Sequence, residues 1–394
     1  MIRLVALLLA LVACTSRNPD AIVLWHAYNG TEREALEASA ARWNAAHPDR
    51  PLELVGVPHA AFADKLTNAI PNGNGPDLFI YAQDRIGGWV DAGVVEPIEF
   101  WLDDAKLDRF STDSIRAMDY KGSLWGLPMT VKSLALFYRT DLVPTPPATT
   151  DELFALGHKI RARNKDGYAL AYANIDLYGH APWLFGHGGT LLDERGELAI
   201  ANPQSAHAME FARKLVADKI APGRAEAPLV ASLFNEGMTA TAISGPWFIT
   251  GIDKSVPWAV AELPIVSSTG KRATPFLGVE GVLMSSRARD KDTAFLVMDW
   301  LTSDASAIER AQIARQVVPN GAADPTIAKD PVLAAFRAQL AHAAPMSLAP
   351  AMRMVWTPYK AALGEVVSGR AEAGAQLLAV EREVQNYVDG ITRD

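Results

Sequence analysis

Two charged side chains stand directly after a predicted buried strand. The strand covers residues 77–82, and Asp84 and Arg85 follow it. A carboxylate accepts hydrogen bonds and a guanidinium group donates them in a fixed fork, so the pair suits a polar ligand. Open α/β sheets commonly bind ligands beyond the carboxyl ends of their strands. We therefore expect this pair to contact a ligand, the alternatives being a surface ion pair or a helix cap.

Two tryptophans could offer flat apolar faces to the same ligand. Trp247 follows Gly245 and Pro246 in a turn after a predicted strand, where core packing explains a tryptophan poorly. Trp356 lies on a late predicted helix beside two methionines and a valine, a stripe that by itself is typical of core packing. Aromatic rings bury apolar area while losing few rotamers, so both are candidates for stacking against a ligand.

Four further polar or aromatic residues follow predicted strands. Asp176 and Tyr178 come after a strand at residues 169–173, and His26 and Tyr28 come after the first strand of the chain. We expect all four at the edge of a ligand site. For His26 and Tyr28, the ordinary polarity of a loop is an adequate alternative explanation.

The motifs of hydrolases, metalloenzymes and ATPases are absent from the sequence. It contains no G-x-S-x-G, no H-E-x-x-H and no G-x-x-x-x-G-K-[ST], and its eight histidines are scattered. No second carboxylate pairs convincingly with Asp84, which weakens the case for a secreted glycosidase. We predict no catalytic residue, no metal site and no cofactor, and keep the glycosidase as an alternative.

Composition excludes a second class of function. The 394 residues are 49% hydrophobic and 21% charged, and the formal net charge is -8. A nucleic-acid-binding protein needs clustered lysines and arginines, and no basic run occurs. We therefore expect a soluble, monomeric globular body that does not bind nucleic acid.

The N-terminus has the pattern of a secretory signal. Met1-Ile2-Arg3 supplies a positive start, and Leu4 to Val12 form an apolar run that is too short to span a bilayer. Small and apolar residues lead into Cys14, the single cysteine, in a pattern that resembles a bacterial lipobox. We predict a signal peptide at 1–13 and a tether at 14–20, with lipid on Cys14 anchoring the body to a membrane. The alternative is an ordinary cleaved signal.

The elements that must position these residues alternate between strands and helices. This order predicts a mostly parallel sheet covered by helices on both faces. Capping boxes predict helix starts at Thr31 and Thr149, and Asn202-Pro203 predicts another. The predicted strands are 21–25, 52–57, 77–82, 133–138, 169–173, 239–244, 259–263 and 278–285. The last predicted helices are 350–368 and 371–388.

Five segments in order resemble the extracellular solute-binding proteins of sugar importers, the family of the maltose/maltodextrin-binding protein. Their order and spacing match the family across nearly the whole chain after Asp20. The segments are Gly75 to Trp89, Tyr120 to Pro128, Ser133 to Leu142, Phe234 to Trp247, and Met352 to Trp356.

This resemblance implies an α/β, two-lobed periplasmic-binding-protein fold of type II, with a hinge and a ligand cleft between the lobes. Carried over, the first lobe covers 20–130 plus 275–325, and the second covers 131–270 plus 330–394. The resemblance further implies a periplasmic or cell-surface protein that captures a carbohydrate. It would deliver this ligand to the permease subunits of an ABC transporter with a separate ATPase.

The resemblance also implies roles for single residues. It places Asp84, Arg85, Trp247 and Trp356 against the sugar. Tyr81 matches an aromatic position that is usually tryptophan in maltose binders, although a core strand residue is the alternative. The family has an acid and an aromatic residue near Asp176 and Tyr178, in a loop that aligns loosely.

Lys132 departs from the family, because maltose binders carry a glutamate there that meets sugar hydroxyls. A lysine donates but cannot accept, so a different hydroxyl pattern, another oligosaccharide or an acidic sugar is implied. Alternatively, Lys132 neutralises Asp84 across the cleft. Binders of polyamine, iron or phosphodiester with a related fold are the remaining alternatives, and the aromatic residues favour sugar.

Overall fold

A computed structural model describes residue 18, residues 20–193 and residues 195–391. The predicted signal peptide and Cys14 lie outside the described residues, as does most of the predicted tether. Among the described helices, none is both long enough and apolar enough to span a membrane.

The described chain alternates strands and helices as expected. The strands are β1 (Ile22–His26), β2 (Leu52–Gly56), β3 (Leu78–Ala82), β4 (Asp119–Tyr120), β5 (Ser123–Leu124), β6 (Gly126–Lys132), β7 (Ala135–Arg139), β8 (Tyr168–Ala171), β9 (Thr239–Ser244), β10 (Trp258–Ala261), β11 (Ile265–Val266), β12 (Lys271–Arg272), β13 (Phe276–Met284) and β14 (Ala344–Pro345). The helices are α1 (Gly30–Ala46), α2 (His59–Ala69), α3 (Ile86–Asp91), α4 (Asp104–Leu107), α5 (Thr112–Arg116), α6 (Thr150–Arg163), α7 (Leu177–Gly186), α8 (Pro203–Ala217), α9 (Ala227–Asn235), α10 (Lys291–Leu301), α11 (Asp304–Ile313), α12 (Asp324–Ile327), α13 (Pro331–Leu340), α14 (Pro350–Val367) and α15 (Ala373–Ile391).

The first of two large sheets has six strands. Its main order is β14-β13-β3-β1-β2, and β6 pairs with β13 on its other side. β1 is parallel to β2 and to β3, which confirms the parallel β-α-β-α-β start. β13 returns late in the sequence and runs antiparallel to both β3 and β6.

The second sheet has the order β10-β7-β9-β8. Only β8 and β9 are parallel, whereas β7 is antiparallel to both β9 and β10. The mostly parallel arrangement predicted from sequence therefore holds for β1 to β3 and not for this sheet. Helices α14 and α15 pack against each other and against α8, beside the second sheet. The predicted limits of the two lobes stay predictions.

Strand β13 belongs to both halves of the structure. Phe276 at its start packs into an apolar cluster with α7, α8, α14 and α15. A few residues later, Val279 and Val282 pack into the larger cluster, which contains the first sheet and part of the second. This single strand therefore carries the chain from one apolar core into the other.

Helix starts show where local sequence decides structure. Thr149 accepts a hydrogen bond from Glu152 N, and Asn202 accepts one from Ser205 N, which confirms both predicted caps. The predicted cap at Thr31 is wrong, because α1 already begins at Gly30 and Asn29, two residues earlier than Thr31, occupies the cap position without a side-chain hydrogen bond.

Candidate functional site

The turn that carries Asp84 and Arg85 is fixed by the buried side chain of Gln83. Its Nε2 donates to Leu277 O at 3.0 Å, and its Oε1 accepts from Val279 N at 2.7 Å. The side chain of Gln83 thus makes the hydrogen bonds to β13 that a strand backbone would make, and it continues the contact of β3 with β13 past Ala82, where β3 ends. Asp84 and Arg85 therefore emerge from a short 3-10 turn whose position depends on β13.

Asp84 and Arg85 form a loose ion pair that a third charge joins. Asp84 Oδ2 lies 3.9 Å from Arg85 Nε, and both side chains are partly exposed. Burial raises the pKa of Asp84, while the charges of Arg85 and of Arg353 on α14 oppose that rise. Arg353 reaches the start of α3, since a Cβ on Gly88 would lie 2.5 Å from its Nη1. The pair thus faces a helix that packs beside the second sheet.

Four aromatic rings form a row across the second half of the molecule. Successive ring centroids lie 6.0 Å apart from Trp247 to Tyr178, from Tyr178 to Phe276, and from Phe276 to Trp356. Trp247 is 50% exposed, whereas Tyr178 and Trp356 are partly buried. Trp247 is therefore the ring of the row that is most exposed to solvent.

Trp247 owes its position to the backbone before it. β9 ends at Ser244, and a 3-10 helix begins at Pro246, with proline in a position where its missing N–H is not needed. The indole lies back over Gly245, so that a Cβ on that glycine would overlap the ring. The residues of this turn thus hold the indole at the protein surface, as its sequence context predicted.

A cavity of about 580 Å³ lies beside this tryptophan. Asp176 lines it and also caps α7, because its Oδ1 accepts from Tyr178 N at 2.8 Å. Lys360 of α14 lines it too and pairs with Glu226 at 3.2 Å. The cavity therefore combines aromatic walls with both donors and acceptors, as small-molecule sites do.

Lys132 lies in a cluster of charges at the end of β6. Its Nζ is 3.2 Å from Glu280 Oε2 and 3.7 Å from Glu32 Oε1. Tyr28 Oη donates to the same Glu280 oxygen at 2.8 Å. Neutralisation of Asp84 by Lys132 is therefore wrong as an interpretation, because the carboxylate partners of Lys132 are Glu280 and Glu32.

Tyr178 joins this cluster to the aromatic row. Its hydroxyl lies 3.6 Å from the point where a Cβ of Gly278 would stand, and Gly278 pairs with Lys132 in the sheet. Burial, and then the negative charge of Asp84, raises the pKa of Tyr178. We call the region of Trp247, Tyr178, Lys132 and Asp84 the candidate cleft.

Three of the predicted residues are buried. His26 is 2% exposed and Tyr28 is 5% exposed, and His26 Nδ1 accepts from Tyr28 N at 3.2 Å. Burial, followed by the charge of Arg33, lowers the pKa of His26. Tyr81 is 8% exposed, and its ring is stacked on that of His59 with a centroid distance of 6.0 Å. The structure thus favours the interpretation of Tyr81 as a core residue.

Sequence reasoning missed several residues around the cleft. Arg353 and Lys360 flank Trp356 at spacings of three and four, so the helical period of α14 was the signal that could have found them. Glu280 interrupts an apolar strand, which is a further signal, because a charge inside a sheet needs a partner. The residues missed are Glu32, Glu226, Phe276, Glu280, Arg353 and Lys360. Across the described ranges, no group of three or more His, Cys, Asp or Glu side chains is arranged to hold a metal ion.

Two α/β halves that share strand β13, with aromatic and charged side chains near the point where they meet, match the two-lobed type II class of ligand-binding proteins. Comparison with known sequences agrees, since the profile of the bacterial extracellular solute-binding protein family matches residues 29–308. The chain belongs to this family.

Individual relatives are similar over most of their length. The maltotriose-binding protein of Pyrococcus abyssi is 29% identical over 378 residues, covering 94% of this chain and 83% of its own. The galactooligosaccharide-binding protein of Bacillus subtilis is 25% identical, covering 93% and 91%. A crystal structure of a cyclo/maltodextrin-binding protein with maltotetraose superposes with a TM-score of 0.84 at 27% identity, covering 95% of this chain and 98% of that one.

Proposed function

We propose that this protein captures an oligosaccharide in the candidate cleft and delivers it to an ABC importer. The single observation that carries the proposal is the row of four rings that ends on the half-exposed indole of Trp247 and whose second ring, Tyr178, lies near the sheet partner of Lys132. A sugar ring has apolar C–H faces and a rim of hydroxyls, and this combination of flat and polar groups is complementary to both.

The named relatives support an oligosaccharide over a monosaccharide. The ligands of these relatives are maltotriose, maltotetraose and galactooligosaccharide. Tyr178 lines the cavity beside Trp247, and its hydroxyl lies near Gly278, the sheet partner of Lys132. A ligand of several rings would contact both groups of residues.

Closure of the two halves is the proposed mechanism. The charged turn of Asp84 follows a strand of the first sheet, whereas Trp247 follows a strand of the second. A ligand that contacts both halves favours the arrangement in which both contacts exist, by the difference in its affinity for the two arrangements. The closed form would then dock on permease subunits that are powered by a separate ATPase.

The remaining parts of the proposal concern the anchor and the chemistry. The lipobox-like sequence before Cys14 supports a lipoprotein that is held at the outer side of the cytoplasmic membrane or at the cell surface. Binding without turnover is proposed because transport requires release of an intact ligand.

Isothermal titration calorimetry on the body after Cys14 tests the proposal. Maltotriose, maltotetraose and a galactotriose are titrated, with spermidine and a phosphodiester as controls. Saturable binding of at least one saccharide, with the ligand recovered intact by chromatography, is expected. Binding of a control ligand alone would refute the carbohydrate proposal, and recovered monosaccharide would show that the protein is a glycosidase.

A further inference from the structure

Glu280 is a carboxylate in the interior of a sheet. It lies on β13 between β3 and β6, opposite Ala82 on one side and Thr130 on the other. A charged side chain in a central strand is costly unless it is paired. Its partners therefore show what this carboxylate is positioned to do.

One oxygen of Glu280 receives all of its hydrogen bonds from the described residues. Oε2 accepts from Tyr28 Oη at 2.8 Å, from Lys132 Nζ at 3.2 Å and from Thr130 Oγ1 at 3.4 Å. Oε1 accepts none from any residue in the described ranges, and the side chain is 19% exposed. The hydrogen bonds to Oε2 thus hold the carboxylate in one orientation, while Oε1 accepts no hydrogen bond from the described residues.

A glycine near Glu280 brings the backbone of β13 close to Tyr178. Gly278 lies two residues before Glu280 on the same face of β13 and pairs with Lys132. A Cβ at this position would lie 3.4 Å from Lys132 O and 3.6 Å from the hydroxyl of Tyr178, so the backbone of β13 packs closely against both residues. Gly278 therefore lies between the Glu280–Lys132 pair and Tyr178 of the aromatic row.

Both groups are charged near neutral pH. Burial opposes the charge of Glu280, but Lys132 and the Tyr28 hydroxyl outweigh it and hold the pKa of Glu280 below its usual value. Burial likewise opposes the charge of Lys132, and Glu280 and Glu32 hold its pKa above the usual value. The pair therefore offers an ionised acceptor beside an ionised donor.

We propose that Glu280 Oε1 accepts a hydrogen bond from a hydroxyl of the bound saccharide while Lys132 Nζ donates to a neighbouring oxygen of the same sugar. Vicinal hydroxyls on one ring are the chemistry that this donor–acceptor pair matches. Glu280 is thereby a specificity-determining residue of the cleft. This inference rests on the proposed function.

Titration of Glu280→Gln with a deoxy sugar series tests the inference. The probe is whichever of maltotriose and galactotriose the wild type binds more tightly, together with its monodeoxy analogues. We expect one analogue to bind the wild type about tenfold more weakly, as loss of a hydrogen bond to a charged group predicts. Glu280→Gln should bind the parent sugar about tenfold more weakly and should show no further loss with that analogue.

Thr130→Val is the matched control. It removes a donor to Oε2 and leaves Oε1 unchanged, so the penalty for the deoxy analogue should persist. Parent binding by Glu280→Gln at the wild-type affinity, or a deoxy penalty that survives in Glu280→Gln, would overturn the inference and leave the proposed function intact. Failure of the wild type to bind any saccharide would overturn both.

Discussion

The indole of Trp247 lies directly against the backbone of Gly245, where no β-carbon could stand without overlapping the ring. Gly245 has an ordinary negative φ of -97°, which other residues also adopt. A glycine is therefore required here because the ring occupies the place of a Cβ, and not because of the backbone conformation. Gly245→Ala should rotate the ring and weaken saccharide binding about fivefold, which corresponds to about 1 kcal/mol. Calorimetry and tryptophan fluorescence measure the two effects.

Gly56→Ala is the control for that substitution, because a Cβ there would meet nothing within 4 Å and the residue does not line the cavity beside Trp247. Its affinity should equal that of the wild type. Equal affinities for all three proteins would show that the orientation of Trp247 does not matter to binding.

Removal of the Trp247 ring should weaken saccharide binding more than its rotation in Gly245→Ala does. Trp247→Ala should weaken saccharide binding by about 2 kcal/mol, or about thirtyfold, as loss of a buried aromatic anchor does. Thermal stability should change little, since the ring is 50% exposed in the free protein. Phe100→Ala, at an aromatic residue that is 87% exposed and lies away from the cleft, should leave affinity unchanged. A thirtyfold loss in that variant too would mean that the effect is nonspecific.

The contact between α3 and α14 should determine how closely the two halves approach each other. A Cβ on Gly87 would overlap the carbonyl oxygen of Leu348, which is backbone and cannot rotate away. Gly87→Ala should therefore hold the start of α14 away from α3, increase the radius of gyration in X-ray scattering, and weaken ligand binding. Gly374→Ala, with no atom within 4 Å of its Cβ position, should change neither quantity. An unchanged radius of gyration in Gly87→Ala would contradict this prediction.

Asp77 should make stability depend on pH in the acid range. It is 2% exposed, and its Oδ2 accepts from Val23 N at 2.9 Å and from Arg289 Nη2 at 2.8 Å. Burial would raise the pKa of Asp77, but these hydrogen bonds outweigh it and leave the pKa low. A depressed pKa in the folded state stabilises the protein above the ordinary aspartate value of about 3.9, and this stabilisation is lost as pH falls through the folded-state value.

Asp77→Asn should therefore unfold more easily by about 2 kcal/mol at pH 7. The difference in melting temperature from the wild type should shrink below about pH 4, where the wild-type carboxyl takes up its proton. A difference that is constant from pH 7 to pH 3 would rule out the ionised carboxylate as its cause.

Saccharide affinity should be constant through neutral pH and fall in acid. Glu280 and Lys132 keep their charges because the pKa of the first is lowered and that of the second is raised. Burial raises the pKa of Asp84, so this carboxylate takes up its proton before an ordinary aspartate does as pH falls. Affinity measured by calorimetry should decline as pH approaches 4, and the decline should be absent in Asp84→Asn. An equal decline in both proteins would assign it to another group.

Much of the fold was predictable because local signals and tertiary structure agree. The β9 limits predicted at residues 239–244 are those observed, and the caps at Thr149 and Asn202 form as their side chains require. Helix α7 was missed, because Pro182 lies inside it and its sequence has no clear polar face. There the packing of α7 against α8 decides the structure and local preference does not.

The residues of the candidate cleft that directly follow a strand end could be predicted from the sequence. Residues that meet only because two distant strands pair in a sheet could not. The placement of Trp247 on a turn could be inferred from its neighbours in sequence. The partner of Lys132 could not, because Glu280 is 148 residues away and reaches it only through the pairing of β13 with β6. Tyr81 was ambiguous for a related reason, since its burial depends on helices that lie over the strand.

Strand β13 has a mechanical consequence. Phe276 touches the aromatic row, and Glu280, four residues later, sits in the charged cluster on the other side. A rotation of one half against the other would change the backbone dihedral angles between these two residues. The strand therefore links the aromatic row to the charged cluster through a few peptide bonds, so that a movement of the halves would alter the distance between the two groups.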